Sequence, residues 1–241
     1  MTSVSSLNSR KTTPSIHLGC GLLETCHPAG SLVGGTKERR ELGCRRTLVA
    51  CGKRLYESGD AIGSVYSVMA GTFKTYTVTE SGEEQILGFY MRGAILGLDA
   101  MAAGTYAAAA VAIEDSQVCV VSAECLEQHC AQDTSVAKRL HAAMAREIDA
   151  AQRMMLMLGN KTAEERVATF LLELAATYFA LGYSSTDMNM LMTRAEIGRY
   201  LGLTLETVSR ILSDLQDRRI LAVQKKHVRI LNVADLKRLT G

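Results

Sequence analysis

The stretch MTRAEIGRYLGLTLETVSRILSDLQDRRILAVQKKHVRIL, from Met192 to Leu231, constrains the fold more than any other part of the chain. Thr193 stands three residues before Glu196, the spacing of a capping box in which hydroxyl and carboxylate each satisfy a free N–H of the first turn. Ile197 and Leu201 lie one turn apart, and Gly202 supplies a residue able to turn sharply before Thr204 caps a second helix. The pattern predicts helix, tight turn, helix.

On the second helix Val208, Ile211, Leu212 and Leu215 share one face, while Glu206, Ser209, Arg210 and Ser213 recur on the other. A carboxylate accepts from the exocyclic amine of cytosine, a guanidinium bridges O6 and N7 of guanine, and a hydroxyl serves either role. Such a face is therefore suited to a DNA major groove. Arg194, Arg199, Arg218, Arg219, Lys225 and Lys226 surround it as candidate phosphate contacts. Glu206 and Arg210 alone would be an ordinary surface ion pair. The capped first helix, the glycine turn and ILAVQKKHVRIL, which reads as two short strands joined at Lys225-Lys226-His227, together describe a winged helix-turn-helix. The candidate DNA-binding set is Glu206, Ser209 and Arg210, with Arg194 and Thr204 at the helix starts.

Upstream, from Leu48 to about Val121, short β-branched and aromatic runs are punctuated by glycine, and SVYSVMAGTFKTYTVTESGEEQILGFY alternates as two or three antiparallel strands. Gly59-Asp60, Gly71 and Ser81-Gly82 fall where turns are needed, so a small barrel or jelly roll is expected. Near Ala123 the period changes. Ala137, His141, Met144, Ile148, Ala151, Met155 and Leu158 recur at steps of four and three along one long helix. Packing on its own barrel would explain a short stripe. A seam sustained over about three heptads favours pairing with the same helix of a second copy, with Met144, Ile148, Ala151, Met155 and Leu158 at the interface. Gly159-Asn160 reads as the break, and Thr162 with Glu165 as the cap of the next helix.

A 241-residue chain that is 47% hydrophobic accommodates two domains, and its net charge of +2 names no partner. The expected division is residues 1–30 as an N-terminal segment, 31–122 as a β-barrel sensor, 123–159 as a dimerisation helix and 160–241 as the DNA-binding domain, an α+β chain. The first twenty residues are polar and no stretch has the length of a membrane span, which predicts a cytoplasmic protein without a membrane partner. Seven cysteines in that setting do not form a disulfide framework. Cys125 and Cys130, flanking His129, read as buried thiols, since a lone C-x4-C is weak ground for zinc. The N-terminal segment IHLGCGLLETCHPAG is less readily explained, because it sets His17, Cys20 and Cys26 among glycines, away from any core. No P-loop, nucleophile elbow, His-Glu-x-x-His or dinucleotide fingerprint is present, so no enzyme is expected.

Through LYESGD, SVYSVMAGTFKTYTVTESGEEQILGF, NKTAEERVATFL and MTRAEIGRYLGLTLETVSRIL the sequence resembles the CRP/FNR superfamily of bacterial transcription regulators, and within it the oxygen-responsive fumarate and nitrate reduction branch. The resemblance implies a cyclic-nucleotide-binding-like barrel, a homodimer, and a TTGAT half-site read by Glu206, Ser209 and Arg210. It also implies an oxygen-labile [4Fe-4S] cluster whose ligands map onto Cys20, Cys26 and Cys119, with His17 standing where the family has its first cysteine. Cys44, Cys51 and His27, or no protein ligand at all, compete with His17 for the fourth place, and the plainer reading of His17 is a solvated side chain. Imidazole binds iron in other clusters, and a neutral donor replacing a thiolate should raise the potential. The loop Thr79 to Glu84 takes the place where the family contacts RNA polymerase. The catabolite activator branch binds cyclic AMP through a Gly-Glu pair and an arginine. Here Gly97-Leu98-Asp99 and an alanine run occupy that stretch, so cyclic AMP is disfavoured. The other reading is a regulator of the same family without a cluster, under thiol, small-ligand or no control.

Overall fold

The computed structural model describes residues 45–241. His17, Cys20 and Cys26, together with His27 and Cys44, lie outside the described residues.

Among the described residues the N-terminal domain holds eight strands: β1 (Arg45–Val49), β2 (Arg54–Tyr56), β3 (Ser64–Ala70), β4 (Phe73–Val78), β5 (Glu84–Tyr90), β6 (Ile95–Leu96), β7 (Ala109–Ala112) and β8 (Ser116–Ser122). They form two four-stranded sheets, ordered β1-β8-β3-β6 and β2-β7-β4-β5, with every pairing antiparallel. Alternation along β3 and β4 turns Val68 and Phe73 inward to meet Val118, Leu96 and Ala110, and this shared interior holds the sheets together. The stretch read as two or three strands holds three, β3, β4 and β5. Gly59, Gly71 and Gly82 turn with φ of 89°, 83° and 82°. A single helical turn, α1 (Ala100–Ala103), closes one end.

The long helix expected from Ala123 is two helices, α2 (Ala123–Gln132) and α3 (Thr134–Asn160). Asp133 divides them. Its backbone is extended, and its side chain accepts from Ser135 N at 2.7 Å, so the chain stops one helix and caps another. Gly159 and Asn160 continue α3 rather than break it, and Lys161 is its C-cap. Val136, Leu140, Ala143, Ala150 and Met157 are the buried residues of α3. The seam lies on another face: Ile148 is 59% exposed and Met155 72%, His141 and Ala151 are exposed, and Ala137, Met144 and Leu158 are half-buried.

The C-terminal domain begins at α4 (Ala163–Ala180), capped by Thr162 and Glu165 as read from the sequence. It continues through β9 (Asp187–Asn189), α5 (Arg194–Leu201), α6 (Leu205–Asp217), β10 (Leu221–Gln224), β11 (His227–Ile230) and α7 (Val233–Arg238). The wing is a three-stranded sheet, β10-β11-β9, whose third strand no sequence signal announced. The two domains share one core. Tyr76, Ile86, Phe89 and Met91 of the β4-β5 side pack with Phe170, Leu171, Leu174, Tyr200 and Leu201.

Gly71 joins β3 to β4 where a Cβ would fall 2.1 Å from Ser116 Oγ and 2.7 Å from Ser116 Cα. Gly71→Ala therefore combines a left-handed backbone with a clash against main chain, and is expected to lower the unfolding free energy by about 2–4 kcal/mol in urea titration.

Candidate nucleic-acid interface

The reading unit is built by local rules. Thr193 Oγ1 accepts from Glu196 N at 3.1 Å and Glu196 Oε2 accepts from Thr193 N at 2.8 Å, which starts α5. Gly202, with φ of 64°, ends it and returns its N–H to Gly198 O. A Cβ at Gly198 would sit 2.6 Å from Leu203 O, so a side chain there would push the turn off the first helix. Thr204 then caps α6 by accepting from Thr207 N at 3.2 Å. Val208, Ile211, Leu212 and Leu215 are buried, which leaves Glu206, Arg210 and Ser213 exposed and Ser209 half-buried on the open side. Among the described residues no ion pair joins Glu206 to Arg210, so neither group is spent on the other. Arg194, half-buried, is the first residue of α5, and the cap Thr204 is exposed.

The wing hairpin turns at Lys225, with φ of 57°, and carries Lys225 and Lys226 exposed at its tip. His227 belongs to β11 rather than to the turn. Asp187 on β9 engages His227 and also accepts from Arg229 Nε at 3.2 Å, tying the third strand to the hairpin. Burial pushes the Asp187 carboxyl up, yet these two partners outweigh it and hold the group below the ordinary carboxylate value.

Two of the expected phosphate contacts are otherwise engaged. Arg218 reaches Glu164 and Asp214. Arg199 Nη1 lies 3.0 Å from Glu84 Oε2, and its carbonyl accepts from Gln85 Nε2 at 2.5 Å. Glu84 accordingly lies in β5 against α5, and the exposed hairpin tip is Thr79 to Glu83. Lys74 on β4 completes the contact, 3.0 Å from Glu196 Oε1 and 3.6 Å from Glu84 Oε2. The side chains of Lys74 and Glu196 are only 13% and 15% exposed. Lys74, Glu84 and Gln85 were not legible as functional residues, because nothing in local order tells a β-hairpin which helix it will meet.

Cys119, on β8, is fully buried with Leu126, Val136, Leu140 and Ala143, at the corner where α2 and α3 leave the barrel. Cys119 is disulfide-bonded. Cys51, Cys125 and Cys130 are free thiols, and Cys51 is exposed. Cys125 Sγ lies 3.7 Å from His129 Nδ1, but no cluster of three or more His, Cys, Asp or Glu able to hold a metal occurs among the described residues. A cavity of about 460 Å³ opens on the barrel beside α3, where Met144 and Ile148 meet Leu87, Tyr90 and Leu98. Among the described residues its charged lining groups are Asp99 and Glu147. Among the described residues no helix is long and apolar enough to cross a membrane.

A double-sheet barrel carrying a winged helix-turn-helix is the architecture of a DNA-binding regulator. Residues 46–133 match the cyclic nucleotide-binding domain family, and residues 165–239 the Crp-like helix-turn-helix domain family. The chain is 40% identical to the transcriptional regulatory protein Btr of Bordetella pertussis over 92% of both chains. It is 36% identical to the fumarate and nitrate reduction regulatory protein of Vibrio cholerae, over 92% of this chain and 89% of that one. FixK2 from Bradyrhizobium japonicum superposes with a TM-score of 0.76 at 35% identity, covering 82% of this chain and 98% of FixK2. The chain belongs to the CRP/FNR family of transcription regulators, alongside its fumarate and nitrate reduction members.

Burial pushes the Glu196 carboxyl up, but bonds from the Thr193 backbone and from Lys74 outweigh it and hold the group below 4.5. The pairing therefore stabilises the fold fully above the unfolded carboxylate value and is lost as pH falls through the lower folded value. Lys74→Met, which leaves Glu196 buried without its cation, is expected to cost roughly 3 kcal/mol at neutral pH in denaturant unfolding, with the deficit shrinking as pH falls through the lowered carboxylate value.

Proposed function

We propose that the protein works as a homodimer that reads a TTGAT-like palindrome in double-stranded DNA, and that oxygen controls it through an N-terminal [4Fe-4S] cluster. The observation that carries the DNA reading is the open face of α6, where Glu206, Ser209 and Arg210 stand clear of one another on a helix capped by Thr204. Arg194, Lys225 and Lys226 are placed as the phosphate contacts that fix register. Dimerisation joins two copies along Met144, Ile148, Ala151, Met155 and Leu158, since large apolar groups such as Ile148 and Met155 would otherwise face water. A second α6 then binds the second half-site as a tethered event, which raises affinity without any new contact.

For the cluster, the residue on view fits. Once its disulfide is reduced, Cys119 would offer a thiolate in a dry, apolar corner, and soft thiolates match iron. Cys20, Cys26 and His17 would be the remaining ligands. When bound, such a cluster supplies an oxygen-reactive redox group. Cys119 packs against Val136 and Leu140 at the base of α3, so the hold on its sulfur bears directly on the helix that carries the dimer seam. The disulfide at Cys119 favours a second reading, control by thiol oxidation without iron. The alanine run at residues 107–110, where the catabolite activator branch has an arginine for the cyclic phosphate, counts against cyclic AMP. The exposed tip Thr79 to Glu83 is the surface offered to RNA polymerase, and a cytoplasmic, non-enzymatic role is in keeping with the regulators that the chain resembles.

Anaerobic purification should give visible absorbance with iron and acid-labile sulfide, all lost in Cys20→Ser, Cys26→Ser and Cys119→Ser along with the air sensitivity of operator binding. A colourless wild-type protein whose binding responds only to thiol oxidants would establish the second reading instead. Arg210→Ala should weaken operator binding by about 1–3 kcal/mol and relax preference at one base pair, as read by gel shift over single-base variants. Equal loss on every sequence would make Arg210 a phosphate contact.

A further inference from the structure

The first turns of α4 are a hub. Arg166 donates from Nη2 to Leu158 O at 2.7 Å, from Nε to Lys161 O at 3.0 Å and from Nη1 to Leu201 O at 3.1 Å. Leu158 is in the last turn of α3, Lys161 is the C-cap of that helix, and Leu201 is the last residue of α5. One planar guanidinium thus satisfies carbonyls at two helix C-termini, where the partial charge is negative. Neither helix supplies that cation itself. The last turn of α3 has no basic residue, and Arg199 in the last turn of α5 is turned to Glu84. The contact falls on the turn of the reading motif: a Cβ at Gly202 would lie 3.6 Å from both Arg166 Nη1 and Leu158 Cδ2. The far end of α6 is tied to the same hub, because Arg218 bridges Asp214 and Glu164.

We propose that Arg166 is a positioning residue for operator recognition, setting the angle between the dimerisation helix α3 and the reading helix α6 and thereby selecting the distance between half-sites. The inference rests on the dimeric reading above. Two α6 helices reach successive major grooves only if each is held at a fixed offset from the seam, and half-site spacing is the geometric record of that offset. Three directed hydrogen bonds from a rigid fork fix an angle, whereas an apolar contact of the same size tolerates sliding. Lysine keeps the charge but lacks the fork, so it should hold the carbonyls loosely.

The test uses the full chain, purified without air, on duplexes carrying one TTGAT half-site or two half-sites whose separation is varied base pair by base pair. Wild-type protein should prefer one separation over its neighbours by about tenfold or more, as expected of a tethered second contact. Arg166→Gln and Arg166→Lys should bind the single half-site within about twofold of wild type, and their preference among separations should fall to about threefold or less. Parallel loss on single and paired half-sites would give Arg166 a merely structural role and overturn the proposal, as would an unchanged separation profile in Arg166→Lys. Should Arg166→Gln fail to fold by thermal melting, Arg166→Lys alone decides. Wild-type protein with no preference among separations would instead overturn the dimeric reading.

Discussion

The packing of Tyr200 between Phe89 and Phe170 is the contact on which the arrangement of this molecule depends. The ring centroids lie 5.2 Å and 5.9 Å apart, with Phe89 and Phe170 themselves 6.4 Å apart, all edge-to-face. Phe89 belongs to the outer side of the barrel, Phe170 to the first helix of the DNA-binding domain and Tyr200 to the helix that supports the reader. Burying three aromatic rings at one junction makes the two domains one hydrophobic unit, because separating them would return all three to water. The winged domain therefore does not hang from the end of α3 as an independent module. It is braced against the barrel along β4 and β5.

Adhesion of that kind is not directional, and orientation comes from charge. A displacement of α5 by one residue along β5 would cost the rings little, but it would part Lys74 from Glu196 and Glu84 from Arg199. A buried ion pair adds little net stability over apolar groups of the same volume, yet breaking it leaves charges without partners in a dry site. The network therefore penalises wrong registers more than it rewards the right one. Glu196 joins the two, since the same carboxylate completes the cap of α5, and its contact with Lys74 couples barrel position to the start of the helix-turn-helix.

Local chemistry was legible in the sequence wherever it is spent locally. The boxes at Thr162 with Glu165 and Thr193 with Glu196, the left-handed Gly202 and the split of α6 into apolar and polar faces are all fixed by residues within one or two turns of each other. The jelly roll could be read for the same reason, from alternation and glycine turns. Three features were read differently, and in each a signal of equal strength competed. Asp133-Thr134-Ser135 is a good capping sequence, but it sits inside a helical periodicity that hides it. Gly159 lowers helix propensity by about 1 kcal/mol, too little to end a helix held by packing. Arg199 and Arg218 are basic beside a reading helix, and only the tertiary fold brings Glu84 and Glu164 to them. The third strand of the wing and the role of Lys74 have no local signature, because both depend on partners some 40 and 120 residues away.

The candidate sensing corner and the reading turn lie at opposite ends of α3, and the helix is bonded differently at each. At its start, Val136 and Leu140 share an apolar cluster with Cys119, a contact that yields to small movements of either side. At its end, Leu158 and the C-cap Lys161 are hydrogen-bonded by Arg166, a contact that does not. A helix soft where the signal would enter and stiff where the reader is attached behaves as a lever rather than a wire. Small displacements near Cys119 would then be delivered to Gly202 and the start of α6 as rotation of the whole helix, with little lost in bending. Between the two ends Ile148 and Met155 face outward, and were two copies paired there as proposed, side chains that interlock would favour one crossing angle and so resist or admit that rotation.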